Sequence, residues 1–249
     1  MKPNKTITAK KEQWKQLHGK QKIQYIWDYY KFPIFVCFIF LYIIGYTAYR
    51  QFSKKDTVLY AGLINISASE QLNTQLGNGF LASMDGNISQ EMVQLYTGLY
   101  LTNDPDSSGH AYTYASRIKI LAAIDGEQLD VVFMDKESFD AFSQNGYLCN
   151  LTHLLQDSSP DTFDALKPYL VTNTAILEDN SEDLLADSSL PYQAVTEEYP
   201  MGLNVSQTGI LKQAGFKDDV YLGVIGNSPR TETAVKYINY LIFAKDMGY

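Results

Sequence analysis

Residues 32–49 read FPIFVCFIFLYIIGYTAY, 18 consecutive positions without a charge, closed by Lys31 at one end and Arg50 at the other. No other feature restricts the fold of this 249-residue chain as strongly. At a rise of 1.5 Å per residue the run covers about 27 Å as a helix, against a bilayer hydrocarbon core of about 30 Å. Tyr25, Trp27, Tyr29 and Tyr30 before the run, and Tyr46 and Tyr49 at its far end, supply amphipathic rings suited to the headgroup level. A core helix of a soluble domain would carry polar positions at helical spacing, and the run has none. A cleaved leader would need a 31-residue basic region. With Ala48 as its last residue, the bulky Tyr46 would fall where a second small residue belongs. A lipoprotein box fails because Cys37 follows Val36 in the middle of the run. The reading that remains is an uncleaved transmembrane helix over 32–49, with the lipid bilayer as its partner.

Charge divides the chain at this point. The first 55 residues carry 11 Lys or Arg and two acids, Glu12 and Asp28, a net +9; the other 194 are net −17, which gives the chain its −8. Eight lysines precede the run, whereas Arg50, Lys54 and Lys55 follow it closely. The excess of cations on the N-terminal side predicts a cytoplasmic N-terminus and an extracellular C-terminal domain at the plasma membrane. The acidity of that domain excludes nucleic acid and anionic lipid as its partners, since both require a basic surface. Within the basic segment 1–31, Trp14, Leu17, Ile23, Ile26, Trp27 and Tyr30 fall at helical spacing, which fits a short interfacial helix broken near Gly19. A solvated basic tail that only fixes topology fits the same residues. Cys37 in the run and Cys149 beyond it cannot pair, and an outer domain without a disulfide suits a Gram-positive bacterium.

After a polar tether at 50–57, residues 58–249 suffice for one α/β domain with a sizeable core or for two small lobes. Strands are expected at 58–66, 91–101, 130–134, 201–205 and 220–225. Helices are expected at about 69–82, 112–124, 136–145, 207–214 and from Ser228-Pro229 to about Lys245. Asp135 is placed to cap the third of these helices, and Gly146 and Gly215 are placed as left-handed terminators. Strands alternating with helices predict an α/β layered fold.

The run AAIDGEQLDVVFMDKESFDAFSQNGYLCNLTHLL, from Ala122 to Leu155, resembles a segment of the bacterial type 2 extracellular solute-binding proteins. Asp130-Val131-Val132, Asp135, Phe139, Gly146, Leu148 and Leu151 carry the likeness. Tyr221 to Ala244 is similar to that family's late strand and returning helix. Lys22 to Ile34 looks like the start of small membrane-anchored Firmicutes proteins that bear such domains. The resemblance implies two lobes. The second would have to come from 151–200, about fifty residues rich in acids and polar groups, and would be small.

Ligands of that family lie at the carboxyl ends of the strands, as in open α/β sheets generally. The resemblance therefore nominates Asn65 and Ser67 after the first strand, Asp135 after the third, and Tyr199 on the way back. Each has a plainer role available: loop or cap for Asn65 and Ser67, helix N-cap for Asp135, packing for Tyr199. His18, His110 and His153 are scattered, and no nucleophile elbow, zinc-protease helix or phosphate loop occurs. The stretch Asp104-Pro105-Asp106-Ser107-Ser108-Gly109 has the start of a calcium loop, but Ala115 stands where the bidentate Glu belongs. Four Asn-x-Ser/Thr acceptor triplets, at Asn65, Asn87, Asn150 and Asn204, are chance matches in so polar a chain.

These readings lead to a non-enzymatic, cofactor-free, membrane-anchored binding or accessory component that takes a small solute near a transporter. The competing class is a scaffold or sensor subunit of a membrane complex that keeps the fold without a ligand. A cleaved, secreted binder is the third.

Overall fold

In a computed structural model the described residues are 19–52, 54–104, 109–158 and 160–243. They fall into two compact units, Met1–Lys54 and Lys55–Tyr249. Trp14 and Leu17 of the expected interfacial helix, and most of the Asp104–Gly109 turn, lie outside the described residues.

Among its described residues the first unit holds one helix, α1 (Lys20–Phe52), 33 residues long and continuous through Pro33. Its described side chains are contiguous from Lys31 to Thr47, 17 positions; among the described residues no helix is long and apolar enough to cross a membrane. Phe38, Ile39, Phe40, Leu41, Ile43 and Ile44 are all exposed. At 100° per residue these six point in every direction, so α1 has no polar side here. Thr47 donates its hydroxyl back to the carbonyl of Ile43 at 2.7 Å, which satisfies that hydroxyl within the helix.

The second unit is built on a six-stranded sheet in the order β2-β1-β3-β6-β5-β4. Strands β1 (Asp56–Ile64), β2 (Glu91–Leu99) and β3 (Val131–Met134) are mutually parallel, and β6 (Tyr221–Val224) runs antiparallel to β3. The outer hairpin of β4 (Leu170–Asp179) and β5 (Ala194–Asn204) completes the sheet through β5 and β6. Parallel neighbours require crossovers. Between β1 and β2 the crossover is α2 (Glu70–Thr74), a π-helical turn (Gln75–Gly79) and α3 (Phe80–Ser83); between β2 and β3 it is α4 (His110–Asp125). Then come α5 (Lys136–Gln144), α6 (Leu151–Ser158), α7 (Pro160–Leu166), α8 (Ser181–Ala186), α9 (Gly209–Ala214) and α10 (Thr231–Phe243).

The central strands are apolar without alternation because helices cover both of their faces. Val131 and Phe133 of β3 join a core with Leu76, Phe80, Leu155, Leu211, Tyr237 and Leu241 on one side. Val132 and Met134 join Ile120, Ile124, Phe139 and Phe142 on the other. The result is a three-layer α/β/α arrangement.

The segment 151–200, expected as a small second lobe, does not stand apart. Leu151, Leu155 and Leu166 are buried in the same core as β1 and α10, and β4 and β5 belong to the one sheet. Fifty polar residues hold too few apolar side chains for a core of their own, so their apolar positions add to an existing one. The strand expected at 201–205 is the inner end of an 11-residue β5; only Gly202, Leu203 and Asn204 pair with β6. The rest of β5 pairs with β4 alone as a projecting ribbon.

Candidate functional site

Strand order places a topological switch point between β1 and β3. The chain leaves β1 toward β2 on one side and returns to β3 on the other, and such crevices at strand carboxyl ends are where open α/β sheets bind ligands. Asn65 and Asp135 stand there, each just beyond its strand. Asn65 takes a left-handed conformation, φ +57°. Its Nδ2 donates to the carbonyl of Leu101 at 2.7 Å, to Asp135 Oδ2 at 2.9 Å and to Ser138 Oγ at 3.2 Å, while its Oδ1 accepts from the Leu101 amide at 3.0 Å. The other Asp135 oxygen caps α5 by accepting from the Ser138 amide at 2.9 Å. The two residues are thus brought together and spent on each other, on a helix cap and on the β2–α4 loop. They form a joint, with little capacity left for a ligand.

Ser67 lies exposed, two residues past Asn65. Tyr199 sits on β5 opposite Asn173 of β4 and packs against the core on the α4 and α5 side. Burial pushes its phenol above the ordinary value, with smaller contributions from Glu197 and Cys149. Neither joins the pair at the switch point.

Next to the joint a groove of about 420 Å³ opens between α4 and α5. Leu101, Thr102 and Asn103, which follow β2, form its rim, and Ile120, Leu121, Ala141 and Phe142 line it with apolar surface. Ser138 belongs both to this wall and to the joint. Arg117 of α4 and Glu137 of α5 are its charged lining residues, and Gln144, Asn145 and Tyr147 close the far end. Asn103 stands between the two charges. Its Oδ1 accepts from Arg117 Nη2 at 3.2 Å, and its backbone amide donates to Glu137 Oε1 at 2.8 Å. A volume of this size and a mixed lining are typical of small-molecule sites.

The sequence reading missed every residue of this groove. Glu137 was visible only as an acid in a first helical turn, and Arg117 as one charge on an exposed helix face. Their meeting depends on how α4 and α5 pack on the same side of the sheet, which local pattern does not encode.

Elsewhere chemistry is quiet. Among the described residues no group of three or more His, Cys, Asp and Glu could hold a metal ion. Burial pushes the Cys149 thiol up to about 12, so at neutral pH it stays protonated and is a poor nucleophile. Asp130, fully buried at the start of β3, accepts from the Tyr60 amide at 2.7 Å, the Ser228 hydroxyl at 2.6 Å and Arg230 Nε at 2.8 Å. It ties β1, β3 and the start of α10 together at the sheet end opposite the groove rim, a structural knot that its place in a "DVV" strand does not reveal.

Compared with known proteins, the chain matches no family model, no curated protein and no solved structure.

Proposed function

We propose that this chain is a single-pass plasma-membrane protein that displays a one-lobed, solute-binding-like α/β module outside the cell, where it serves a transporter as a binding or accessory component. The observation that carries the binding half is the α4–α5 groove. It combines a volume of about 420 Å³, an apolar lining and two opposite charges beside the switch point between the parallel strands β1 and β3 of a mixed sheet. The anchoring half is supported by α1, whose helical backbone spans all 18 uncharged positions and whose described apolar side chains face every direction. In water such a surface would be unstable; in lipid it is the ordinary state. The likeness of 122–155 and 221–244 to type 2 solute-binding proteins supports the module's class. Its two-lobe cleft is replaced here by a groove within a single unit.

The test is thermal denaturation of the full chain in nanodiscs against a library of sugars, amino acids, peptides and organic acids. A ligand of the folded state raises the melting temperature by mass action. A saturable rise of several degrees with one chemical class is expected, and a flat response across the library overturns the binding half.

One observation favours the scaffold reading. The ribbon from Leu170 to Asn204 carries seven carboxylates and no Lys, Arg or His. Leu177, Leu185, Tyr192 and Val195 on it are more than half exposed. Its tip is nevertheless ordered: Asn180 exchanges hydrogen bonds with Gln193, and its Nδ2 donates to the carbonyl of Pro191 at 3.0 Å. A preformed acidic arm with apolar side chains is a surface that a basic protein partner in a membrane complex would fit.

A further inference from the structure

We propose that the α4–α5 groove selects a zwitterion, an α-amino acid with an apolar side chain. This rests on the groove being a binding site at all. Among the groove's lining residues, Arg117 and Glu137 carry the charge, one of each sign, and among the described residues they form no ion pair with each other. Asn103 holds them apart by bonding to both. Each keeps capacity. Of Arg117's five donors, Nη2 is the one engaged, and Glu137 uses Oε1 alone, among the described residues.

A ligand of single charge would engage one of these exposed groups and leave the other to water, gaining one charge-assisted bond where two are on offer. A neutral sugar would meet an apolar lining with its hydroxyls and gain no charge-assisted bond. A zwitterion answers both charges at once: its carboxylate accepts from the Arg117 guanidinium, and its ammonium donates to the free oxygen of Glu137. The remaining lining fixes the third substituent. Leu101, Ile120, Leu121 and Phe142 offer aliphatic and aromatic surface, which favours a side chain such as that of leucine, methionine or phenylalanine over a polar one.

The test uses the full chain in nanodiscs, with melting curves and isothermal titration against the full set of standard amino acids. Two analogues accompany leucine: 4-methylpentanoate, which lacks the ammonium, and 3-methylbutylamine, which lacks the carboxylate. Expected is a melting shift with apolar amino acids and none with either analogue at the same concentration. R117Q and E137Q should each weaken binding by about tenfold or more, as loss of one charge-assisted hydrogen bond does. A141F, checked for an unchanged unliganded melting curve, should abolish binding by filling the groove. L121F serves the same purpose if A141F does not fold. An analogue that binds as well as leucine, or a different ligand class whose shift is lost in the groove-filling variant, overturns the zwitterion and leaves the groove as a site. A shift that survives the groove-filling variant overturns both, and no shift with any compound overturns the binding reading itself.

Discussion

Tyr237 shows how a single side chain carries a whole layer of this structure. It is fully buried, meets Phe80 edge-on at 4.8 Å, and donates its hydroxyl to the carbonyl of Leu76 at 3.0 Å. One turn further along α10, Tyr240 donates to the carbonyl of Gln75 at 2.9 Å. Both acceptors belong to the π-helical turn, whose wider winding leaves carbonyls that an α-helix would satisfy internally. Burial pushes the pKa of both phenols up, that of Tyr237 well above its ordinary value, and so holds them protonated. A folded-state value above the unfolded one means full stability below about pH 10, lost as the pH rises beyond it. Urea midpoints should therefore be level from neutral pH to about pH 9 and fall in stronger alkali. Y237F should flatten that fall while costing about 1 kcal/mol at neutral pH for the lost hydrogen bond. A steep alkaline limb unchanged in Y237F would assign the effect to another group. Gly202 gives a second residue-level expectation: a Cβ there would lie 2.6 Å from Phe139 Cε2 and 3.1 Å from the carbonyl of Leu222. G202A should destabilise the domain by about 1–3 kcal/mol in chemical denaturation, because neither the sheet nor the stacked Phe139–Tyr221 pair can yield cheaply.

At the level of elements, apolar density and caps were enough to read most of the sheet and its helices. The strand at 130–134, the cap at Asp135 and the left-handed stops at Gly146 and Gly215 (φ +67° and +72°) were all legible, because each is a local choice of residue. The ribbon was not. Thr172, Asn173, Thr174, Glu197 and Glu198 pair in register, yet they are polar and lie partly or fully in solvent, so they show no apolar run that marks a strand. For the same reason its polar sequence read as a reduced lobe. The resemblance led to Asn65 and Asp135, which meet at the carboxyl ends of β1 and β3 as a joint, whereas the groove beside them is a product of packing. Hydrogen bonds from Ser181 to Asp179, and from Ser189 to Asp187, hold both carboxyls below their ordinary range, so these tip charges persist into mild acid. Replacing 177–195 with an Asn-Gly turn should change the unfolding free energy by less than about 1 kcal/mol, since side chains this exposed contribute little to folding. A collapse of the denaturation transition in that variant would show that the ribbon is part of the core.

The whole molecule reads as two compact units of opposite charge, divided between Lys54 and Lys55. From Phe38 to Ile44, α1 offers apolar surface on every side, and the C-terminal unit offers an acidic α/β domain with a groove and an arm. The proposed orientation rests on the eight lysines that precede the run, because the positive-inside rule counts Lys and Arg near a span and gives acids little weight. Protease protection reads the proposed division across the membrane. Intact protoplasts expressing the full chain, tagged at both ends, are treated with protease from outside. The C-terminal tag and the 55–249 domain should be digested. An N-terminal remnant of about fifty residues should stay protected and should resist alkaline carbonate extraction from the membrane. Protection of the C-terminal tag in intact cells, or release of the whole chain by carbonate, would contradict that division.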